Sequence, residues 1–189
     1  MEYMFHRLGA FFLDVLEVVV LAFALFLFAY LLVFQPHKID GRSMEPTYHD
    51  KEYLLTNKVP FVILKKNPNR GDVVVFKAPE DRSKEFIKRV IGLPGEKVAI
   101  HDGQIYINDK ILAEGYLPTG LKTEGAYFLQ NEQELVIPAG RFFVLGDNRS
   151  NSSDSRYWGF IPYKDILGKA WFRYWPLSRM EVIQKYNYN

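Results

Sequence analysis

One long apolar run dominates the hydrophobic pattern of the chain. Every residue in positions 18–34 is apolar apart from the hydroxyl of Tyr30, and residues 9–13 extend the run backward across Asp14 and Glu17. A helix that crosses a membrane needs about 20 predominantly apolar residues. The pattern therefore predicts a single transmembrane helix, and we expect its two acidic residues to contact headgroups at one end.

This run is too long for a cleavable signal peptide, whose apolar region has about 7–15 residues and precedes a small-residue cleavage site. It leads instead into the polar residues 35–38. We therefore predict that residues 1–35 form a short tail and an uncleaved anchor. Charge does not fix the orientation, because Arg7 lies before the run and Lys38 and Arg42 lie after it.

After Pro36 the pattern becomes that of short β-strands separated by turn residues. Asp102-Gly103 joins two such runs and is a hairpin signal. The predicted strands are residues 53–56, 72–76, 86–91, 97–100, 104–107, 135–137, 142–145 and 169–174. Residues 113–134 predict a surface loop, and residues 163–168 a helical turn. We therefore predict a mainly β fold, in which one antiparallel domain of barrel-like or Greek-key closure, residues 36–189, follows the anchor.

Composition excludes several kinds of chemistry. The 189 residues include no cysteine, so disulfides, thiolate–zinc sites and cysteine nucleophiles are excluded. The four scattered histidines have no metal-ligand spacing, and we predict neither a metal nor another cofactor. The net charge of +2 gives no sign of nucleic-acid binding.

Ser43 and Lys88 are the candidate reactive residues. Ser43 lies in a turn-like segment, where Gly41 permits a positive φ and Pro46 disfavours helix, and a lone serine there is usually structural. A serine becomes a nucleophile only when a base removes its proton. A lysine serves as that base only when neutral, so burial must lower its pKa from about 10.4. The apolar residues around Lys88 favour burial, although a solvent-facing lysine is the commoner case.

Three motifs change this balance: S-M-x-P at residues 43–46, K-R-x-x-G-x-P-G at residues 88–95 and G-D-N-x-x-x-S-x-D-S-R at residues 146–156. In this order, and over nearly the whole chain, they resemble the signature of the bacterial type I signal peptidases, which are membrane-bound serine–lysine proteases. The resemblance implies that Ser43 is the nucleophile and Lys88 the general base. It also implies that Ser152 orients the lysine through a hydrogen bond.

The resemblance further assigns two supporting charge pairs, Asp154 with Arg156 and Asp147 with Arg89. The alternative is that these four charges are exposed and contribute little. We prefer the paired interpretation because the whole loop motif is present.

Positions that bind substrate in the family also have counterparts here. Ile39, Met44, Phe86 and Ile87 match residues that line shallow pockets for small side chains, although core packing explains Met44 equally well. We place Gly41 in the same set. Some members carry a serine at that position, which completes the oxyanion hole, and glycine resembles the short Gram-positive form. With glycine at 41, the donors to the oxyanion would be the Ser43 backbone N–H and either a second backbone group or water.

The implied partners are preproteins with signal peptides and the lipid bilayer. The implied location is the bacterial cytoplasmic membrane, crossed once, with the catalytic domain on the extracytoplasmic side. The aromatic residues Trp171, Phe172, Tyr174 and Trp175 fit either a lipid interface or simple core packing.

Other readings fit the motifs less well. A penicillin-binding enzyme would need S-x-x-K, which residues 43–46 lack. A Ser–His–Asp hydrolase could use His49 or His101, and a self-cleaving repressor would need a DNA-binding module. The non-enzyme alternative is a membrane-anchored peptide-binding or assembly protein on a non-catalytic version of the fold.

Overall fold

The computed structural model describes residues 2–188, which fall into two compact units, Met1–Gln35 and Pro36–Asn189. The first unit contains helix α1 (Glu2–Val33). Its segment Phe11–Val33 is long and apolar enough to cross a membrane. Its described side chains are apolar nearly all round and largely exposed, as expected of a helix surrounded by lipid.

The second unit is built from strands and short turns. The strands are β1 (Phe34–Lys38), β2 (Tyr53–Asn57), β3 (Val73–Lys77), β4 (Glu85–Gly92), β5 (Lys97–His101), β6 (Gln104–Ile107), β7 (Lys110–Ile111), β8 (Glu134–Val136), β9 (Arg141–Leu145), β10 (Ile161–Pro162), β11 (Ile166–Trp175) and β12 (Glu181–Val182). The helical elements after α1 are a π-helical turn (Val59–Ile63), helix α2 (Ser155–Trp158) and two 3-10 turns (Tyr163–Asp165 and Leu177–Arg179).

Two sheets organise these strands. The larger has the order β1-β2-β11-β3-β4-β9-β10, with β12 beside β11, and the smaller has the order β7-β6-β5-β8. The ladders that join β2, β11, β3, β4 and β9 are antiparallel, and so is the β5–β6 hairpin. The mainly antiparallel β prediction is confirmed, whereas the strand pairing among the described residues does not close a barrel.

Strand β3 places β4 in an apolar environment. Val73 and Val74, on opposite faces of β3, belong to two different buried clusters, so this strand is covered on both faces. Lys88 of β4 lies opposite Val74, which is fully buried. A charged side chain at this register is therefore removed from water by its neighbours.

Several boundaries differ from the prediction because pairing decides them. Phe34 begins β1 instead of ending the helix. The predicted turn at residues 163–168 ends at Asp165, because Ile166 already pairs with β3. The polar loop at residues 146–156 ends in α2, which Asp154 caps by accepting a hydrogen bond from the Arg156 N–H.

Candidate active site

The segment that carries Ser43 is held by hydrogen bonds to its backbone. Ile39 N–H donates to the Glu52 carbonyl at 2.8 Å, and Gly41 N–H donates to Asp50 Oδ1 at 2.7 Å. Gly41 has a φ of +104°, a conformation that glycine adopts at little cost. On the far side, Asn148 N–H donates to the Ser43 carbonyl at 3.0 Å. The serine is thus fixed between a strand and the Gly146–Arg156 loop.

Lys88 meets this serine from strand β4. Its side chain is almost fully buried, and Nζ donates hydrogen bonds to Ser43 Oγ at 2.7 Å and to the Ile87 carbonyl at 3.0 Å. Burial lowers the pKa of the Lys88 amine to about 8, against the opposing effect of the negative charges of Asp154 and Asp147. At pH 7 roughly a tenth of such a lysine is neutral, compared with about 0.03% at an unshifted pKa.

The pair lies at the side of a cleft of about 330 Å³. Of the positions predicted to bind substrate, Ile39, Gly41, Phe86 and Ile87 line this cleft. Met44 does not: its side chain is 1% exposed and packs in the core against residues such as Tyr48 and Leu54. The turn after Ser43 directs this side chain into the core, in agreement with the core-packing alternative.

Ser152 lies next to the serine segment, but the structure shows no hydrogen bond between it and Lys88. Its Oγ is buried and has no hydrogen-bond partner among the described residues. A methyl group built on Gly146 would collide with Ser152 Oγ and the Ser43 carbonyl. Glycine is therefore required at 146 for the loop to pack this closely on Ser43.

The two charge pairs named from the sequence both form, and both are buried. Arg89 donates to Asp147 through Nε at 2.9 Å and Nη2 at 2.6 Å, and Thr47 Oγ1 donates to the same carboxylate at 2.6 Å. Arg156 donates to Asp154 through Nε at 2.8 Å and Nη2 at 2.9 Å. Such bidentate pairs fix geometry as well as charge. The Asp147 carboxylate ties strand β4 and the Ser43 turn to the loop, and the Arg156–Asp154 pair holds the loop itself in shape.

Sequence reasoning missed Arg149, which lies within the same loop motif. Its guanidinium is buried and donates to the Gly146 carbonyl at 3.0 Å, to both carboxylate oxygens of Glu114 and to Thr123 Oγ1. It thereby attaches the long loop at residues 113–134 to the site. Its position among the charged residues of the motif is the signal that could have identified it.

The three histidines whose side chains the structure describes do not supply an alternative base for Ser43. His49 Nδ1 accepts a hydrogen bond from Arg179, and His101 pairs with Glu132 at the end of β5. His37 lines the cleft, but its ring nitrogens contact Thr56 and Glu85. Within residues 2–188, no group of three or more potential metal ligands is assembled.

Comparison with known proteins shows the family to which the chain is related. Residues 12–175 match the model of the family described as "Signal peptidase, peptidase S26". The chain is 36% identical over 182 residues to signal peptidase IB of Staphylococcus aureus, and this match covers 90% of this chain and 91% of that protein. It is 38% identical over 151 residues to a probable signal peptidase I-2 of Synechocystis, where the match covers 77% of this chain and 65% of that protein.

A solved structure of a signal peptidase I from Enterococcus faecalis is 35% identical, with a TM-score of 0.47, over 55% of this chain and 97% of that one. The family match spans most of the chain, and the staphylococcal relative matches it almost from end to end. The chain therefore belongs to the signal peptidase family, peptidase S26.

Proposed function

We propose that this chain is a membrane-anchored endopeptidase that removes signal peptides from preproteins, with Ser43 as nucleophile and Lys88 as general base. The observation that carries the proposal is the 2.7 Å hydrogen bond between Lys88 Nζ and Ser43 Oγ, made by a buried lysine in the wall of a cleft. A serine–lysine pair needs this proximity together with a lysine that can lose its proton.

In the first step, neutral Lys88 Nζ takes the proton of Ser43 Oγ while the oxygen attacks the scissile carbonyl carbon. The C–O bond forms, and the negative charge moves to the carbonyl oxygen. The Ser43 N–H has no hydrogen-bond partner among the described residues, so it is available to stabilise this oxyanion. The Gly41 N–H is engaged by Asp50 and is not the second donor in this conformation.

In the second step, the Lys88 ammonium gives its proton to the leaving amine as the C–N bond breaks. An acyl ester on Ser43 remains. Water then attacks the ester carbonyl while Lys88 takes its proton, and that proton returns to Ser43 Oγ when the new carboxylic acid leaves. Lysine acts as base and acid in turn, as the histidine of a triad does.

The substrate is an extended peptide whose backbone aligns with the strand edges that flank the cleft. One edge is the segment leading to Ser43 and the other is the outer half of β4. Ile39, Phe86 and Ile87 would contact the small side chains of a signal-peptide cleavage site. With residues 1–35 as anchor, the catalytic unit would lie on the extracytoplasmic side of the cytoplasmic membrane.

The test is cleavage of one purified preprotein by full-length protein in detergent, with the cut mapped by mass spectrometry. We expect one cut at the end of the signal peptide, which disappears in Ser43→Ala. A second measurement uses a serine-directed acylating inhibitor, which should label the wild-type protein but not Ser43→Ala. Preprotein binding without cleavage or labelling would favour the peptide-binding alternative.

A further inference from the structure

The last described residues of the chain place two aromatic rings beside the buried charges of the site. The C-terminal tail (residues 184–188) begins after Ile183, whose side chain is buried. The rings of Tyr186 and Tyr188 in this tail lie 4.9 Å and 6.2 Å from that of Tyr116, measured between centroids. The two tail rings also contact each other, with centroids 4.9 Å apart. The tail thus forms a cluster of three tyrosines with a residue that lies about 70 positions earlier in the chain.

Hydrogen bonds and close packing hold the tail in place. Gly115 N–H donates to the Tyr186 hydroxyl at 3.0 Å, and the Tyr188 hydroxyl donates to that of Tyr116 at 3.3 Å. The Tyr186 carbonyl packs so closely on Gly71 that a methyl group at Gly71 would collide with it. The tail is therefore docked on the body of the unit at three points, although it lies outside the strands.

The tyrosine cluster lies directly against the two buried arginines that organise the catalytic loop. The Arg89 guanidinium lies over the Tyr116 ring, 4.1 Å from its centroid, where a cation is attracted to the face of the ring. The Tyr116 hydroxyl donates to Glu114 Oε1 at 2.6 Å and accepts from Arg149 Nη2 at 3.1 Å. Both arginines are only 2–3% exposed. Tyr116 therefore touches both of them, and the tail holds Tyr116 from the other side.

The consequence for the Ser43 turn follows from the dielectric around the ion pair. The side chains of Arg89 and Asp147 are 4% and 0% exposed, and such a pair is strong only where water is excluded. Burial raises the pKa of the Tyr188 hydroxyl to about 12, so at neutral pH this side chain is a neutral cover. The Asp147 carboxylate also accepts a hydrogen bond from Thr47, four residues after Ser43. Water that reached the pair would loosen the turn that carries the serine.

We propose that the tail tyrosines, Tyr186 and Tyr188, are positioning residues for the reaction at Ser43. Their rings keep Tyr116 stacked on Arg89 and exclude water from the ion pair that fixes the Ser43 turn. The tail lines no part of the cleft, so it acts on geometry and not on substrate binding. The inference rests on the proposed function of Ser43. Because the cover is formed by rings, phenylalanine should replace the tail tyrosines with little loss.

Kinetics of full-length variants in detergent provide the first test. The number of active sites is titrated with a serine-directed acylating inhibitor, so that kcat is expressed per reactive Ser43 and unfolded molecules do not count. Tyr188→Ala and Tyr186→Ala should each lower kcat about tenfold and leave KM nearly unchanged. Tyr188→Phe should restore kcat to near the wild-type value. The matched control is Tyr127→Ala, since Tyr127 is 86% exposed, and its kcat should not change.

Hydrogen exchange followed by mass spectrometry provides a second test that does not depend on activity. Tyr48 N–H donates to the Met44 carbonyl, and Asn148 N–H donates to that of Ser43. Segments that contain these two amides should exchange faster in Tyr188→Ala than in wild type, whereas the β5–β6 hairpin should not change. Tyr127→Ala should leave both regions as they are.

Two results would overturn the inference. One is a wild-type kcat per titrated site in both alanine variants. The other is equal acceleration of exchange in the Ser43 turn and in the β5–β6 hairpin, which would mean that the tail contributes only to global stability. Absence of cleavage and of labelling in the wild-type protein would instead refute the proposed function. The exchange comparison would still decide whether the tail holds the turn.

Discussion

Lys88 Nζ and Ser43 Oγ are 2.7 Å apart although 45 positions separate the two residues in the chain. The β3–β4 ladder places the lysine. The serine is placed by the hydrogen bond from Asn148 N–H to its own carbonyl and by the bond from Ile39 N–H to the Glu52 carbonyl. Two independent parts of the fold therefore converge on one hydrogen bond, and each can be tested by substitution.

Ser43→Ala and Lys88→Ala should each abolish preprotein cleavage, because one removes the nucleophile and the other the base. The expected loss in kcat is on the order of 10⁴–10⁶-fold. The measurement is single-turnover cleavage of a preprotein, with circular dichroism to confirm folding. His49→Ala is the control, since this side chain bonds to Arg179 outside the cleft, and it should stay near wild type. Loss in His49→Ala with activity in Lys88→Ala would reverse the assignment of the base.

The pH dependence of cleavage should follow the ionisation of Lys88. Because burial lowers the pKa of this amine to about 8, kcat/KM should fall about tenfold for each pH unit below that value and level off above it. The measurement is kcat/KM on a peptide substrate across this range. Lys88→Arg should be inactive at every pH, since arginine does not give up its proton. A flat profile on the acid side would argue against a lysine base.

The same shift predicts that Lys88 costs stability. Its pKa is lower in the folded state than the ordinary value of 10.5, so the unfolded chain binds more protons between about pH 8 and 10.5, and stability rises with pH in that window. Below about pH 8 the full cost, about 3 kcal/mol, is present. Lys88→Met should therefore unfold at higher temperature at pH 7, and its advantage should shrink toward pH 10.5. An advantage independent of pH would show that burial of the charge is not the cause.

Ser152→Ala should separate activity from stability. If the Ser152 hydroxyl forms a hydrogen bond with the Lys88 amine during the reaction, removal of the hydroxyl should lower kcat about 10–100-fold and leave KM nearly unchanged. Because this buried oxygen has no partner among the described residues, the variant should be at least as stable as wild type. Ser150→Ala is the control, since that serine is exposed. Equal small effects of both variants on kcat would mean that the loop only supports the site.

Asp147→Asn should destabilise the protein strongly, because it leaves the Arg89 guanidinium buried without its counter-charge. Removal of one partner of a buried ion pair costs about 3–5 kcal/mol. Lys84→Ala, which breaks an exposed pair with Asp81, should change stability by less than about 1 kcal/mol. Thermal unfolding of both variants in detergent makes the comparison. Similar small losses would show that the Arg89–Asp147 pair contributes little.

Local pattern was enough to predict most of the elements of this fold. The β5–β6 hairpin forms around Asp102-Gly103, and Asp102 has a φ of +50°, as such a turn requires. The apolar run predicts α1 except at the last residue of the run, Phe34, which belongs to strand β1 and not to the helix. Strand β1 itself was not predicted, because its sequence contains Pro36 and polar residues. The π-helical turn at Val59–Ile63 was missed as well, since a proline at its start obscures the helical pattern.

What local pattern could not give is the order of the strands. Strand β11 lies between β2 and β3, so that Lys169 faces Asn57 on one side and Val74 on the other. Such long-range pairing depends on the whole chain. At the site, the motifs identified most of the residues but not their contacts. The Met44 side chain packs in the core and not in the cleft. Arg149 is as deeply buried as Arg89 and Arg156, which the resemblance had assigned.

The backbone of Gly41 limits which residues can replace it. Its φ is +104°, and nothing lies within 4 Å of the position that a Cβ would occupy. Glycine is therefore needed there for conformation and not for space. A serine introduced at 41 would be strained in this backbone, and its hydroxyl would leave the chain in a different direction from that of a serine in extended backbone. We therefore expect that Gly41→Ser alone strains this backbone and does not complete an oxyanion hole, and that a change in the path of the chain around residue 41 would have to accompany it.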